Sequence, residues 1–400
     1  MNRTLLKFTA LSISILTFAA MATAPAIADM VAAFKDASPQ TIMLMTTAPA
    51  VCKVLVNLLF GKLAALFTRR TLFNTGMVGF LIGGVGPYFL DNLTAIFVMR
   101  GILGLGLGIL VPLSMVLITD FFEGSEKNTV MGLQSVFVNI GGIIFPALGG
   151  FLCAINWRYT FLSYLLGVLV FLLVFYCLPE PAKVQSNTGT DNISAKTSLG
   201  GKVYFLQAVV FTYSVLLYIF FTNIAIEVVG ENIGNAANAG MAMTIFTLGG
   251  MLTGFVFGKI MDAINIFTIP VGWILTGIGM VMIATTHNMN LILAGSLLAG
   301  IGFTVIAPAC FVMLTNVAPP SGVASAIAIL YALSGVGQFV SPVLAEFFIL
   351  RQFDQVPGRF PILASSVAFI VLGVLILLFT QTQFLKSIGE SSKQSINKPA

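Results

Sequence analysis

"GGIIFPALGG" runs from Gly141 to Gly150, inside thirty residues, Asn128 to Trp157, that carry no charge. In water, four glycines and a proline would cost a helix about 1 kcal/mol per glycine and about 3 for the proline. In hydrocarbon the same residues acquire a use. Small side chains let helices approach closely, and neighbouring helices re-satisfy the backbone group that proline leaves free. Gly142, Pro146 and Gly149/Gly150 share one helical face. The stretch reads as a close-packed, pliable face of a membrane helix.

The rest of the chain agrees. Of 400 residues 58% are hydrophobic and 8% charged, whereas soluble domains are about a quarter charged. A bilayer core about 30 Å thick needs about 20 apolar residues per helix. Uncharged intervals of that length recur at 8–28, 71–90, 101–119, 128–157, 159–179, 203–226, 232–258 and 360–385, and 263–345 is long enough for three. Breaking them at polar clusters predicts twelve spans, near 6–27, 39–61, 71–90, 92–115, 130–153, 159–178, 203–226, 239–259, 267–286, 291–314, 322–347 and 361–381. None alternates with the period of two that a membrane barrel requires. The fold class is an all-α polytopic membrane protein.

Lys and Arg set the orientation. With the N-terminus inside, thirteen of them fall on cytoplasmic segments and four on external ones, so both termini are cytoplasmic. The net charge of +5 is a topology signal and not a nucleic-acid patch. The first residues resemble a secretory signal, but their uncharged run reaches 21 residues and eleven spans follow, so they are read as the first span. Cys52, Cys153, Cys177 and Cys310 lie in apolar spans without paired spacing, which gives neither a disulfide framework nor a metal site. No H-E-x-x-H, G-x-S-x-G or CxxC is present, and no nucleotide loop. An enzyme and a cofactor are not expected.

The polar segment 179–202 reads as a cytoplasmic linker between halves 1–178 and 203–381, with 382–400 as a cytoplasmic tail. The halves align at an offset of 196: "GLGLGILVP" ending at Pro112 matches "GIGFTVIAP" ending at Pro308, and "GGIIFPAL" around Pro146 matches "GQFVSPVL" around Pro342. "FGKLA" at 60–64 matches "FGKIM" at 257–261, one residue out of register. Two similar six-helix bundles imply a pathway between them and alternating access. The chain reads as a transporter.

Four motifs then resemble the major facilitator superfamily, and within it the twelve-helix drug/proton antiporter branch. "GKLAALFTRRTLF" at 61–73 fits the loop between helices 2 and 3 through Gly61, Leu63, Arg69 and Arg70, with Ala65 where the family has an Asp that helps lock the cytoplasmic gate. "RGILGLGLG" at 100–108 fits the helix 4 pattern, and Gly104 and Gly108 are expected to open space beside Arg100. The resemblance implies a role for Arg100 in coupling proton movement to transport. Gly141, Pro146, Gly149 and Gly150 fit the antiporter motif of helix 5, with Phe145 where a Gly is usual. A stripe of Gly250, Gly254 and Gly258 in helix 8 is the expected partner of that face. "NWRYTF" at 156–161 resembles the family's W-R-x-x-F and marks the fold.

An intramembrane charge is a functional hypothesis by default. Lys53 is mid-span in helix 2 with Asn57 and Phe60 on its stripe. Lys53, Asn57 and Arg100, with Asn223 of helix 7, are expected to line the substrate cavity. Two cations and no deep acid favour an anionic or neutral amphiphile over a lipophilic cation. Glu346 and Glu227, near outer helix ends, are the candidates for carrying the proton, whereas His287 in a short external turn is given no role. The expected function is proton-coupled efflux of small amphiphiles by a rocker-switch monomer in a bacterial inner membrane, in contact with lipid. A proton-coupled importer of a nutrient or organic anion is the alternative.

Overall fold

The computed structural model describes residues 3–122, 124–177, 200–319, 322–349 and 359–379. The linker and tail expected at 179–202 and 382–400 lie almost wholly or wholly outside them. Among the described residues there are helices and no strands. In chain order they are α1 Arg3–Ala33, α2 Pro39–Leu66, α3 Arg69–Phe89, α4 Leu93–Phe121, α5 Gly124–Cys153 and α6 Trp157–Cys177. There follow α7 Gly201–Gly230, α8 Ala236–Gly254, α9 Phe257–Thr285, α10 Met289–Val317, α11 Val323–Ile349 and α12 Arg359–Phe379. Eleven carry stretches long and apolar enough to cross a membrane; α8, 19 residues with four Gly and three Thr, is not among them.

Local chemistry sets many of the boundaries. Pro39 occupies the first turn of α2, and Ser38 Oγ accepts from Thr41 N at 3.3 Å. Thr68 caps α3 through Thr71 N at 3.2 Å. Asn92 caps α4 and Asn288 caps α10, accepting from Thr94 N at 2.8 Å and from Asn290 N at 2.9 Å. One boundary differs from the sequence reading. The eighth span was expected to run to 259, but α8 stops at Gly254, and Phe257–Ile264 forms a short helix that opens α9. Gly254 has no packed neighbour within 4 Å to offset the entropy that glycine loses in a helix.

The chain divides into two compact units. Unit 1 holds Met1–Asn192 with Gly234–Thr244, and unit 2 holds Ile193–Ile233 with Ile245–Ala400. Inside each, glycines set the helix spacing in the same way. A methyl added to Gly76 would meet Leu110 Cγ at 2.9 Å, and one added to Gly272 would meet Ile306 Cγ1 at 2.8 Å. Gly83 lies against Leu103 N and Met99 O; Gly279 lies against Ala299 N and Gly295 O. Gly106 faces Gly76 O and Phe80 N; Gly302 faces Gly272 O and Thr276 N. Gly141 faces Ile15 O, and Gly337 faces Phe211 O. Both the glycine and the atom it meets shift by 196 each time. The repeat is therefore a repeat of close helix contacts, in three of the four pairs between glycine and backbone.

Candidate functional site

Arg100 is the best-anchored polar group of unit 1. It is fully buried on α4, and its guanidinium reaches three other helices. Nε donates to Met45 O at 3.4 Å, and one Nη2 donates to Thr46 O at 3.2 Å and Ala20 O at 3.0 Å. Nη1 donates to Tyr164 Oη. The sequence explains why Met45 O is available. Pro49, four residues on, has no N–H to give it. Gly104 and Gly108 do not leave open space beside the arginine. Added methyls there would lie 2.5 Å from Pro49 O and 2.6 Å from Val56 Cβ, because α2 itself fills that space. The guanidinium fork is thus committed to pinning α1, α2 and α6 onto α4.

Lys53 is different. It lies on the stripe of α2 that includes the buried Ile42, Thr46 and Phe60, whereas Leu55, Leu58 and Leu59 on the other side are more than half exposed. It is half-buried, and it makes no ion pair or hydrogen bond among the described residues. Asn57, one turn on, has a buried Oδ1 without a partner. In unit 2, Asn223 is fully buried; its Nδ2 donates to Ile219 O at 2.8 Å and Thr222 Oγ1 at 3.1 Å, and its Oδ1 has no partner. Lys53, Arg100 and Asn57 belong to one unit and Asn223 to the other.

At the start of α3, Arg69 Nε lies 2.9 Å from Asp120 Oδ2 on α4, and its Nη1 donates to Ala64 O at 2.8 Å. Arg70 lies 4.9 Å over the Phe175 ring. Gly61 has nothing within 4 Å. The acid that answers Arg69 thus comes from the far end of α4. Ala65 lies in the last turn of α2. On the same membrane side, Glu126 takes Lys7 Nζ at 2.8 Å and also Arg3. It lies ahead of the spanning part of α5, Leu133–Cys153. The Lys7 hydrogen bond, with Arg3 adding to it, holds this exposed carboxyl below the usual carboxylate range.

The stretch 141–150 has two working faces. Gly141 and Gly149 receive α1: added methyls would lie 1.9 Å from Ile15 O and 2.0 Å from Ala22 O. Gly150 meets Ala236 O at 2.7 Å, and a methyl on Gly240 would lie 2.5 Å from Pro146 O. Thr244 Oγ1 donates to Ile143 O at 3.1 Å. The helix 5 motif therefore touches the first turns of α8, residues 236–244, which belong to unit 1. Gly250 meets Thr304 Oγ1 instead, and Gly254 and Gly258 meet nothing within 4 Å. Phe145 is fully buried with its ring 6.3 Å from that of Tyr164, away from this contact.

Glu227 is buried on α7 with both carboxylate oxygens lacking a hydrogen-bond partner. Arg359 Nε is 3.9 Å from Oε1. Around that arginine stand Glu231 and His287, a cluster that sequence reasoning missed because its members come from three separate helix ends. Glu346 lies on α11, and its side chain is outside the described residues.

With this architecture in place, comparison decides the family. The Major Facilitator Superfamily model matches residues 9–229 and 208–399. The chain belongs to that superfamily. As a Major Facilitator Superfamily protein it is a multi-pass membrane protein of a transporter superfamily. Multidrug transporter protein MdtP of Bacillus subtilis (strain 168) is 29% identical over 118 residues, 29% of this chain and 22% of that protein. Curated relatives are matched over 20% to 43% of their own length. A bacterial homologue of the human lysosomal transporter Spinster, in an inward-facing and occupied conformation, superposes with a TM-score of 0.74 at 16% identity, over 96% of this chain and 98% of that one. A D-xylose-proton symporter gives 0.71 at 17% identity, over 96% and 98%. These likenesses show the fold.

Proposed function

We propose that this transporter exports small amphiphilic molecules in exchange for protons, by alternating access, as a monomer in a bacterial inner membrane with both termini cytoplasmic. The orientation rests on the Lys and Arg asymmetry between loops. Export is favoured by the glycine and proline motif of α5 and by the similarity to a multidrug transporter.

The observation that carries the substrate reading is Lys53. It is a cation on the inward stripe of α2 with no counter-ion among the described residues, and Asn57 beside it offers an oxygen with no partner among them. A buried charge is tolerated when something pairs with it, and the substrate is the remaining candidate. We assign Lys53 and Asn57 to recognition of an anionic or neutral polar group, and Asn223 to a similar role on unit 2. Arg100, whose donors are committed, acts by holding these helices in register. Glu227 is the proton carrier that we favour, and Glu346 is the second.

The test is a Lys53→Cys variant with the four native cysteines removed. A substrate should slow its labelling by a membrane-permeant thiol reagent. Labelling unaffected by every transported compound would refute the assignment. The second reading, a proton-coupled importer of an organic anion, is favoured by the same unpaired lysine and by Ala65 in the gate loop. It predicts that Lys53→Gln abolishes uptake of anions and leaves no outward flux.

A further inference from the structure

We propose that His287, Glu231 and Arg359 form an uptake site for the coupling proton, in which the protonation of His287 decides whether Arg359 pairs with Glu227. This rests on reading Glu227 as a proton carrier. The end of α7, the turn between α9 and α10, and the start of α12 meet at one membrane face of unit 2. His287 is about two-thirds exposed there, whereas Glu227 is fully enclosed.

The contacts define one tautomer. Arg359 Nη2 lies 3.3 Å from His287 Nδ1 and donates to Thr286 O at 3.0 Å. A guanidinium only donates, so Nδ1 accepts. The ring proton is then on Nε2, which lies 2.9 Å from Glu231 Oε2 without the alignment of a hydrogen bond. Arg359 Nη2 is also 3.6 Å from that oxygen. Neutral His287 therefore holds Arg359 at the outer edge. Deeper in, Arg359 Nε has no hydrogen-bond partner among the described residues, and neither does either oxygen of Glu227, 3.9 Å away. Two unpaired opposite groups face each other just beyond bonding distance.

A proton from water binding Nδ1 forms an N–H bond and breaks the Arg359 hydrogen bond. Two cations then stand 3.3 Å apart. Nε2 keeps its proton, and the ring cation stands 2.9 Å from Glu231 Oε2, which attracts it. Arg359 is pushed onto Glu227, and a guanidinium in contact favours the ionised carboxylate. The O–H bond of Glu227 breaks and its proton passes to water on the inner side as the one on His287 arrives. The cluster holds one proton in either of two seats. No other described charge faces Glu227: α10 carries none, α12 contributes only Arg359, and α11 carries only Glu346, whose side chain is outside the described residues.

The experiment is infrared spectroscopy of the full chain in lipid across pH, with Glu227→Gln identifying the protonated-carboxyl band of Glu227. In the unsubstituted protein that band should weaken as pH falls, opposite to an isolated carboxylic acid. His287→Ala, in an exposed turn, should lose the band at every pH because Arg359 is no longer held outward. Arg359→Ala should restore an ordinary band that grows steadily with acid. A band that grows with acid in the unsubstituted protein, or that His287→Ala leaves unchanged, overturns the proposal. A band absent at all pH values in the unsubstituted protein overturns Glu227 as carrier.

Discussion

Arg100→Leu should cost about 3–5 kcal/mol of stability, and the loss should be coupled to Pro49. The arginine makes four hydrogen bonds to α1, α2 and α6. Side-chain hydrogen bonds within membranes average about 0.6 kcal/mol and reach about 1.7, and charge-assisted ones are roughly twice as strong. Four therefore come to about 5 kcal/mol, less what an unfolded arginine recovers by snorkelling. Met45 O is the discriminating acceptor, since Pro49 denies it a helical donor. Pro49→Ala supplies that N–H. It should be more favourable by about 1 kcal/mol in the Arg100→Leu background, where Met45 O gains its only donor, than in the parent. The assay is a double-mutant cycle of detergent-induced unfolding followed by the fluorescence of Trp157 and Trp273. A coupling below about 0.3 kcal/mol, within the additivity of independent sites, would refute the pinning argument.

Three further outcomes are expected. Gly149→Val should destabilise by about 3 kcal/mol or more, because even a methyl there lies 2.0 Å from Ala22 O; Gly61→Ala, into open space, should stay within about 0.5 in the same unfolding assay. Arg69→Ala or Asp120→Ala should each cost about 1–3 kcal/mol, since the pair is largely enclosed, and the charge swap should recover part of it. Glu126 is lowered in the folded protein, so its stabilisation is present above the unfolded carboxylate value and is lost as pH falls through the folded one. Acid unfolding of the Arg3→Gln, Lys7→Gln double variant should lack that step, and an unchanged acid limb would contradict the pairing.

Charge intervals located the helices because lipid excludes charge, and the offset of 196 was visible because glycines that touch backbone cannot vary in size. Which neighbour each glycine meets was not legible. Helical periodicity puts Gly142, Pro146 and Gly149/Gly150 near one another, but only the fold shows Gly149 turned to α1 and Gly150 to Gly240. Pairs across helices were hidden for the same reason. Arg69 and Asp120 are 51 positions apart, and Glu231, His287 and Arg359 lie on three helix ends. A lone histidine in a turn carries no pattern. Lys53 stood out because its type alone is costly at mid-span.

The central claim, exchange of substrate for protons, is tested most directly in proteoliposomes with an imposed pH gradient, with substrate and internal pH followed together. The account predicts that an anionic or neutral amphiphile accumulates only with the gradient while protons move the opposite way, and that Glu227→Gln uncouples the two. A solute that moves in the same direction as the protons would contradict it and establish the importer.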